Sequence, residues 1–260
     1  IGEKPCNVDG VLAAYSGEYL YKSTANEVTT LTPTPFEKVI FPQSFFNLYE
    51  VVTGWSEVFP EFKTGNNVPY KDSDGKEDGT LVHTDFGAGV MFLPSGLAYY
   101  NTGKGAVPSY VPLVFSFKLY AINRSDLDND GIPSYLEDVN GDGYMRVLAT
   151  GVANPDDSDG DGVPDFLDID DDGDGFTTRS EITKPANQIG VVNGINYGPS
   201  KYYPYNAFTV EDDPTTPDVD ESLQSELRGI PAFAATGEPD YTSSGRLRLH
   251  LDKAHHTEKP

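Results

Sequence analysis

A single cysteine in 260 residues leaves no intramolecular disulfide to staple the chain. With only four histidines and no Gly-x-Ser-x-Gly elbow, a hydrolase built on a nucleophile and a histidine base lacks parts. No stretch approaches the roughly 18 apolar residues that would cross a bilayer as a helix. Positive charge is also scarce, 18 Lys and Arg against 41 Asp and Glu, so the formal net charge of -23 repels polyanions and argues against a nucleic-acid partner. The lone Cys6 reads as a buried or free thiol, with a lipid-bearing cysteine as the alternative. A start at Ile1 rather than Met reads as a trimmed mature chain.

What the chain does have is concentrated carboxylate. Of its acidic residues, 17 fall between Asp126 and Glu181, where the only basic side chains are Arg146 and Arg179. Within that stretch Asp-x-Asp-x-Asp-Gly occurs three times, in DLDNDGIPSYLE (Asp126 to Glu137), DSDGDGVPDFLD (Asp157 to Asp168) and DDDGDGFTTRSE (Asp170 to Glu181), each closed by a carboxylate six residues after the glycine. Calcium is a hard cation that takes about six to eight oxygens, so carboxylates at alternate positions must be gathered by a tight turn, which glycine at position 6 permits. The spacing assigns Asp126, Asp128, Asp130, the Ile132 carbonyl and Glu137 to loop 1. It assigns Asp157, Asp159, Asp161, the Val163 carbonyl and Asp168 to loop 2, and Asp170, Asp172, Asp174, the Phe176 carbonyl and Glu181 to loop 3. Asp165 and Thr178, at position 9, are candidates for an added contact. A partial copy, Asp138, Asn140 and Asp142 before Gly143, lacks the closing carboxylate.

A solvated acidic linker is the alternative, but a linker has no need of glycine at the same place each time, and unneutralised carboxylates this close repel one another. Pro133 and Pro164 at position 8, and the absence of flanking amphipathic helices, exclude a calcium sensor of the helix–loop–helix kind. The tandem arrangement resembles thrombospondin type 3-like calcium repeats, which implies about three structural calcium ions in an irregular extension. Because extracytoplasmic calcium is plentiful, the expected location is outside the cytoplasm, periplasmic or at the cell envelope.

Residues 1–122 have another texture, rich in aromatic and β-branched residues with turn signals between short runs. VDGVLAAYSGEYLY, GVMFLPSG and LVFSFKLYAI read as strands, the last central because large apolar residues appear on both faces near its start. A short helix is expected after Trp55, capped by Ser56, with Phe59 and Phe62 inward, Pro60 limiting its length and Gly65 stopping it. In the insertion of about Asn66 to Phe86, the run Asp72 to Gly79 has its glycine misplaced for a metal loop and reads as a turn.

The order AAYSG, then EVVTGWSEVFPEFKTG, then FLPSGLAYYNTGKGAVPSYVPLVFSFKLYAI resembles the FKBP-type peptidyl-prolyl cis-trans isomerases over about the first 122 residues. The resemblance implies an α+β fold in which an antiparallel sheet wraps a short helix. It also implies a proline pocket of Tyr15, Phe36, Val51, Val52, Trp55, Tyr99, Val107 and Phe115, with Trp55 as the floor. Tyr99 and the Val52 amide would bind the substrate carbonyls. Departures from the family include Tyr21-Lys22 in place of its Phe-Asp pair, Tyr100 where a glycine usually follows Ala-Tyr, and Pro112 before the last strand. As isolated residues, Tyr15, Trp55 and Phe115 would also suit ordinary core packing.

Residues 183–260 are loop-rich, with a strand expected over 246–252 from the alternation in GRLRLHLD. The pair His255 and His256, near Glu258, reads as a polar tail rather than a transition-metal site. The expected organisation is thus residues 1–122, a calcium segment over 123–182 and an extension over 183–260. The expected function is isomerisation of Xaa-Pro bonds in exported polypeptide clients. A non-enzymatic proline-peptide binding module or a structural spacer are the alternatives; the oligomeric state is left open.

Overall fold

The computed structural model describes residues 2–193, 195–207, 229–233 and 238–256. EDDPTTPDVDES, the beginning of ATGEPD and Glu258 lie outside the described residues. The chain divides into two compact units, one of Ile1–Ser125 with Gly141–Met145, the other of Asp126–Asn140 with Arg146–Pro260. The acidic loops and the C-terminal extension, expected as separate segments, therefore share one unit.

The first unit is mostly antiparallel sheet. Strand β1 spans Gly10–Ala25, β2 Val28–Val39, β3 Phe46–Asn47, β4 Asn66–Lys71, β5 Glu77–Thr84, β6 Gly87–Leu93 and β7 Leu113–Asn123. The main sheet runs β2-β1-β7-β6, with β3 on the start of β1. Strand β7 is therefore internal, and its alternation decides which face is dry: Leu113, Phe115, Phe117 and Leu119 are buried, whereas Ser116 and Lys118 are exposed. Pro112 does not break the approach to it, because the Pro112 carbonyl accepts the Leu20 N–H at 3.0 Å. The register sets Tyr15 opposite Phe117 and Gly17 opposite Phe115.

Helix α1 spans Thr53–Val58 and continues as a 3₁₀ turn over Phe59–Glu61. It begins two residues before Trp55, so Ser56 is not its cap: Val52 holds that position, and the Ser56 hydroxyl instead donates to the Thr53 carbonyl at 2.8 Å. Pro60 lies where regular helix has given way to the 3₁₀ turn, and Phe59 is fully buried. The helix approaches β6 so closely that a Cβ at Gly54 would stand 2.4 Å from a Leu93 methyl, so any larger residue there would displace the buried Leu93 side chain. The insertion folds as a separate, mostly exposed hairpin of β4 and β5, and its acidic run is a turn in which Asp72 Oδ1 accepts the Asp74 and Lys76 N–H groups, each at 2.9 Å.

Cys6 sits inside this unit. Its amide donates to the fully buried Asp9 at 2.8 Å, Arg124 bridges the same carboxylate at 2.6 Å, and upstream Glu3 is tied to Thr64. Burial, aided by the Asp9 charge, pushes its thiol up to about 12, the condition of a structural side chain.

The second unit has little regular structure: helix α2 spans Thr178–Glu181, and two-residue strand pairs join Val191–Val192 to Ile195–Asn196 and Ala232–Phe233 to Pro239–Asp240. Its core is small, built on Ile132, Ile182, Tyr203, Ile230 and Leu249. The strand expected over 246–252 does not form; the chain turns into a 3₁₀ segment at Leu249–Leu251, which buries Leu249 and His250 side by side and leaves Leu247 exposed. A half-buried strand needs a ladder partner as well as alternation; here the Leu249 amide goes to the Pro231 carbonyl at 2.7 Å and the Arg246 and Arg248 side chains take carbonyls of Ile230 and Tyr205.

Candidate functional site

Sheet and helix meet at Trp55, whose indole takes edge-to-face contacts from Tyr15, Phe46, Phe59 and Phe115 at centroid distances of 4.9, 5.6, 5.1 and 5.3 Å. Each such pair is worth about 0.5–1.5 kcal/mol beyond its buried area. Above this floor lies a cavity of about 530 Å³ lined by Tyr15, Val51, Val52, Trp55, Tyr99 and Phe115, six of the eight residues expected there. Phe36 and Val107 do not line it. Phe36 packs on Phe115 at 5.7 Å from beyond Gly17, and Val107 is buried in the core beneath. The ring that does line it is Phe46, brought in by the short β3 pairing with β1.

A carboxylate also meets the cavity, though not from Tyr21-Lys22, the pair that departs from Phe-Asp. Those two residues lie on the exposed part of β1, while Glu37, on β2 directly across from Gly17, lines the wall. Burial raises the Tyr15 hydroxyl well above the usual tyrosine range, and its hydrogen bond to Glu37 raises it further. Tyr99 is raised by burial and then by Glu37. The Tyr99 hydroxyl and the Val52 N–H donate to no described residue. Tyr100, where glycine was expected, is in the left-handed region at φ 42°, as is its ring partner Tyr110 at φ 62°. The backbone thus keeps a glycine-like conformation at a strain cost of about 1–3 kcal/mol.

The acidic loops form a second constellation. All three repeat one hydrogen-bond pattern. The position-6 glycine amides of Gly131, Gly162 and Gly175 donate to Asp126, Asp157 and Asp170 at 3.2, 3.0 and 3.0 Å, with φ of 106°, 102° and 94°. Asp130, Asp161 and Asp174 each accept the amide two residues on at 2.7 Å. Position 9 acts as a clamp in each loop: Ser134, Asp165 and Thr178 accept the position-2 amides of Leu127, Ser158 and Asp171 at 3.2, 2.7 and 3.2 Å.

The loops differ in what remains unsatisfied. In loops 1 and 3, one oxygen each of Asp126, Asp128, Asp130, Asp170 and Asp172, and both oxygens of Glu137 and Glu181, are buried with no hydrogen-bond partner. Glu137 is 4% exposed and Glu181 1%. Burial followed by the neighbouring aspartates pushes Glu137 up to about 12 and Glu181 up to about 9. Loop 2 has the three clustered aspartates but is more open, with Asp161 exposed and no buried oxygen left without a partner, and Asp168, one methylene shorter than glutamate, spends an oxygen on the Asp170 amide at 3.0 Å. The histidines do not converge: His255 pairs with Asp252 at 2.7 Å, and His256 faces Asp174 at 3.2 Å while stacking on Phe176.

The family described as BamM C-terminal matches residues 127–218, less than half of the chain. No curated protein matches. Two solved structures are similar: a peptidyl-prolyl cis-trans isomerase from Pseudomonas syringae pv. tomato, 22% identical over 48% of this chain and 69% of that one with a TM-score of 0.32, and FkpA from Escherichia coli, 23% identical over 47% and 44% with a TM-score of 0.31. TM-scores of this size leave function to be argued from the residues of the site.

Proposed function

We propose that the first unit binds proline-containing polypeptide segments in the cavity over Trp55 and speeds rotation about the Xaa-Pro bond, and that loops 1 and 3 of the second unit hold structural calcium ions. The observation that carries the first part is an open aromatic cavity whose rim presents two uncommitted donors, the Val52 N–H and the Tyr99 hydroxyl. The rotation barrier of about 18–20 kcal/mol comes from amide resonance, so no nucleophile is needed. A proline ring on the indole, with its flanking carbonyls held by the two donors, leaves the amide in a dry surround that favours the twisted, less dipolar form.

The second part rests on the buried and unpartnered carboxylate oxygens of Glu137 and Glu181. The donor set is all oxygen, the set a hard divalent cation takes. Calcium bound there would supply the charge that the acidic unit lacks, and its binding energy would add to folding. Loop 2, more open and with no buried oxygen left without a partner, would bind weakly or last. An exported, cell-envelope setting follows from loops of this kind as part of the same proposal.

Trp55 is the only tryptophan, so its fluorescence reports on this cavity alone. Titration with a short Xaa-Pro peptide should change that emission saturably, while the same peptide with alanine for proline should not. No change with either peptide sinks the pocket reading. Saturable binding without acceleration of isomerisation would leave the binding module.

A further inference from the structure

We propose that Asp130, Glu137 and Asp171 form an additional divalent-cation site that neither loop contains by itself, so that loops 1 and 3 load as one coupled pair. Oxygens of these three side chains all lie within 4.8 Å of one another, and the residues are 2%, 4% and 2% exposed. Each of the three carries a buried oxygen without a hydrogen-bond partner: Asp130 Oδ2, both Glu137 oxygens and Asp171 Oδ1. Asp171 is not in the ligand set of loop 3. It occupies position 2, between Asp170 and Asp172, and its amide is fixed by the Thr178 hydroxyl at 3.2 Å. Its carboxylate is grouped with Asp130 and Glu137 of loop 1, not with the Asp170, Asp172 and Asp174 cluster of loop 3.

Among the described residues no basic side chain forms an ion pair with the three carboxylates, although the Arg179 charge partly offsets the burial of Asp130. Arg179 donates its guanidinium to the Asn129 carbonyl and Tyr202, Arg246 and Arg248 donate to carbonyls and Tyr205, and only the buried Arg246 Nη2, on the cavity that Glu137 and Asp171 also line, has no partner. Three buried carboxylates with no cation carry a desolvation and repulsion cost that a divalent ion removes. The same neighbourhood ties the loops mechanically, since Arg179 of α2 reaches position 4 of loop 1 and Ile132 packs with Ile182. Occupancy of loop 1 positions Asp130 and Glu137, which the additional ion shares; that ion positions Asp171 and hence loop 3. The ligands are all carboxylate oxygens, so the fitting class is calcium or a comparably hard divalent ion.

The inference rests on loops 1 and 3 being cation loops, and the test separates the two. Calcium-loaded full-length chain is analysed by native mass spectrometry and by calcium titration, beside Asp171→Asn and Asp161→Asn. The expected result is one ion fewer in Asp171→Asn, a shallower titration, and an affinity at loop 1 reduced on the order of tenfold or more. Asp161→Asn, in loop 2, should leave the loop 1 affinity and the steepness unchanged. Should Asp171→Asn fail to fold, anomalous diffraction from calcium-loaded wild-type crystals decides: a peak about 2.3–2.6 Å from oxygens of all three residues is expected. Wild type binding no calcium overturns the loop reading itself. Calcium in loops 1 and 3 with an unaltered ion count in Asp171→Asn, or no peak among the three carboxylates, overturns this inference alone; so does a group that binds no ion because it shares protons instead.

Discussion

At the scale of single residues, two roles separate at the cavity. Trp55 is both floor and core, buried among four rings, so a substitution there costs stability as well as affinity. Tyr99 is different: its hydroxyl has no partner to lose among the described residues. Tyr99→Phe should leave the melting temperature unchanged and reduce kcat/KM on an Xaa-Pro peptide by about 2- to 12-fold, the worth of one hydrogen bond of about 0.5–1.5 kcal/mol. A larger fall accompanied by a lower melting temperature would mean the ring, not the hydroxyl, was being read. Glu37 shows what a spacing argument misses. The pair Tyr21-Lys22 comes soon after Tyr15 in sequence, but β1 continues past both to Ala25 before the chain turns, and the β2 register returns Phe36 and Glu37 to the level of Gly17. Strand length, which decides where a hairpin brings its second arm, is set by the long polar run of β1 and was not signalled by any residue in the motif.

At the scale of elements, the loops divide into two classes although their sequences look alike. Glu181→Gln should lower calcium-dependent stabilisation sharply, up to about 4 kcal/mol where calcium exceeds the dissociation constant a thousandfold. Asp161→Asn should change it little, as thermal melts with and without calcium would show; equal losses would mean loop 2 is as competent as loop 3. In the metal-free chain, burial holds Glu137 and Glu181 at about 12 and about 9, so the fold keeps protons that the unfolded chain releases above about 4.3. Folded pKa values above the unfolded ones give stability that is greatest at low pH and is lost as pH rises through neutrality. Chelated protein should therefore melt lower at about pH 8 than at about pH 5.5, and calcium should abolish that difference. A metal-free melt that climbs with pH would contradict the burial of these carboxylates. The loops were legible because each needs a particular residue at nearly every position, glycine at 6 above all. The central strand was legible from its alternation. The strand expected over 246–252 was not real, because alternation states which side chains are apolar and says nothing about whether a partner strand exists. Helix α1 was displaced because Ser56 resembles a cap, whereas Val52 holds the cap position with no side-chain bond to the helix.

At the scale of the whole molecule, each of the two units is stabilised by a different kind of physics. The first is an antiparallel sheet on a short helix, with a continuous apolar core from Val11 to Leu119. The second has, among the described residues, a small apolar cluster built on Ile132, Ile182, Tyr203, Ile230 and Leu249 and a set of buried carboxylates that repel one another unless neutralised. Limited proteolysis should accordingly be calcium-dependent within residues 126–256 and calcium-independent within residues 8–123; identical digests with and without chelator would remove the case for structural ions. The claim on which the account turns is that the cavity over Trp55 handles proline peptides. The most direct measurement is the rate of cis-trans exchange of a short Xaa-Pro peptide with the purified chain, beside Trp55→Leu checked for folding by its far-ultraviolet spectrum. Acceleration by the wild type that falls at least tenfold in a folded Trp55→Leu chain is the predicted result, tenfold being about 1.4 kcal/mol of transition-state binding. Acceleration that survives the substitution unchanged, or none at all from the wild type, would contradict it.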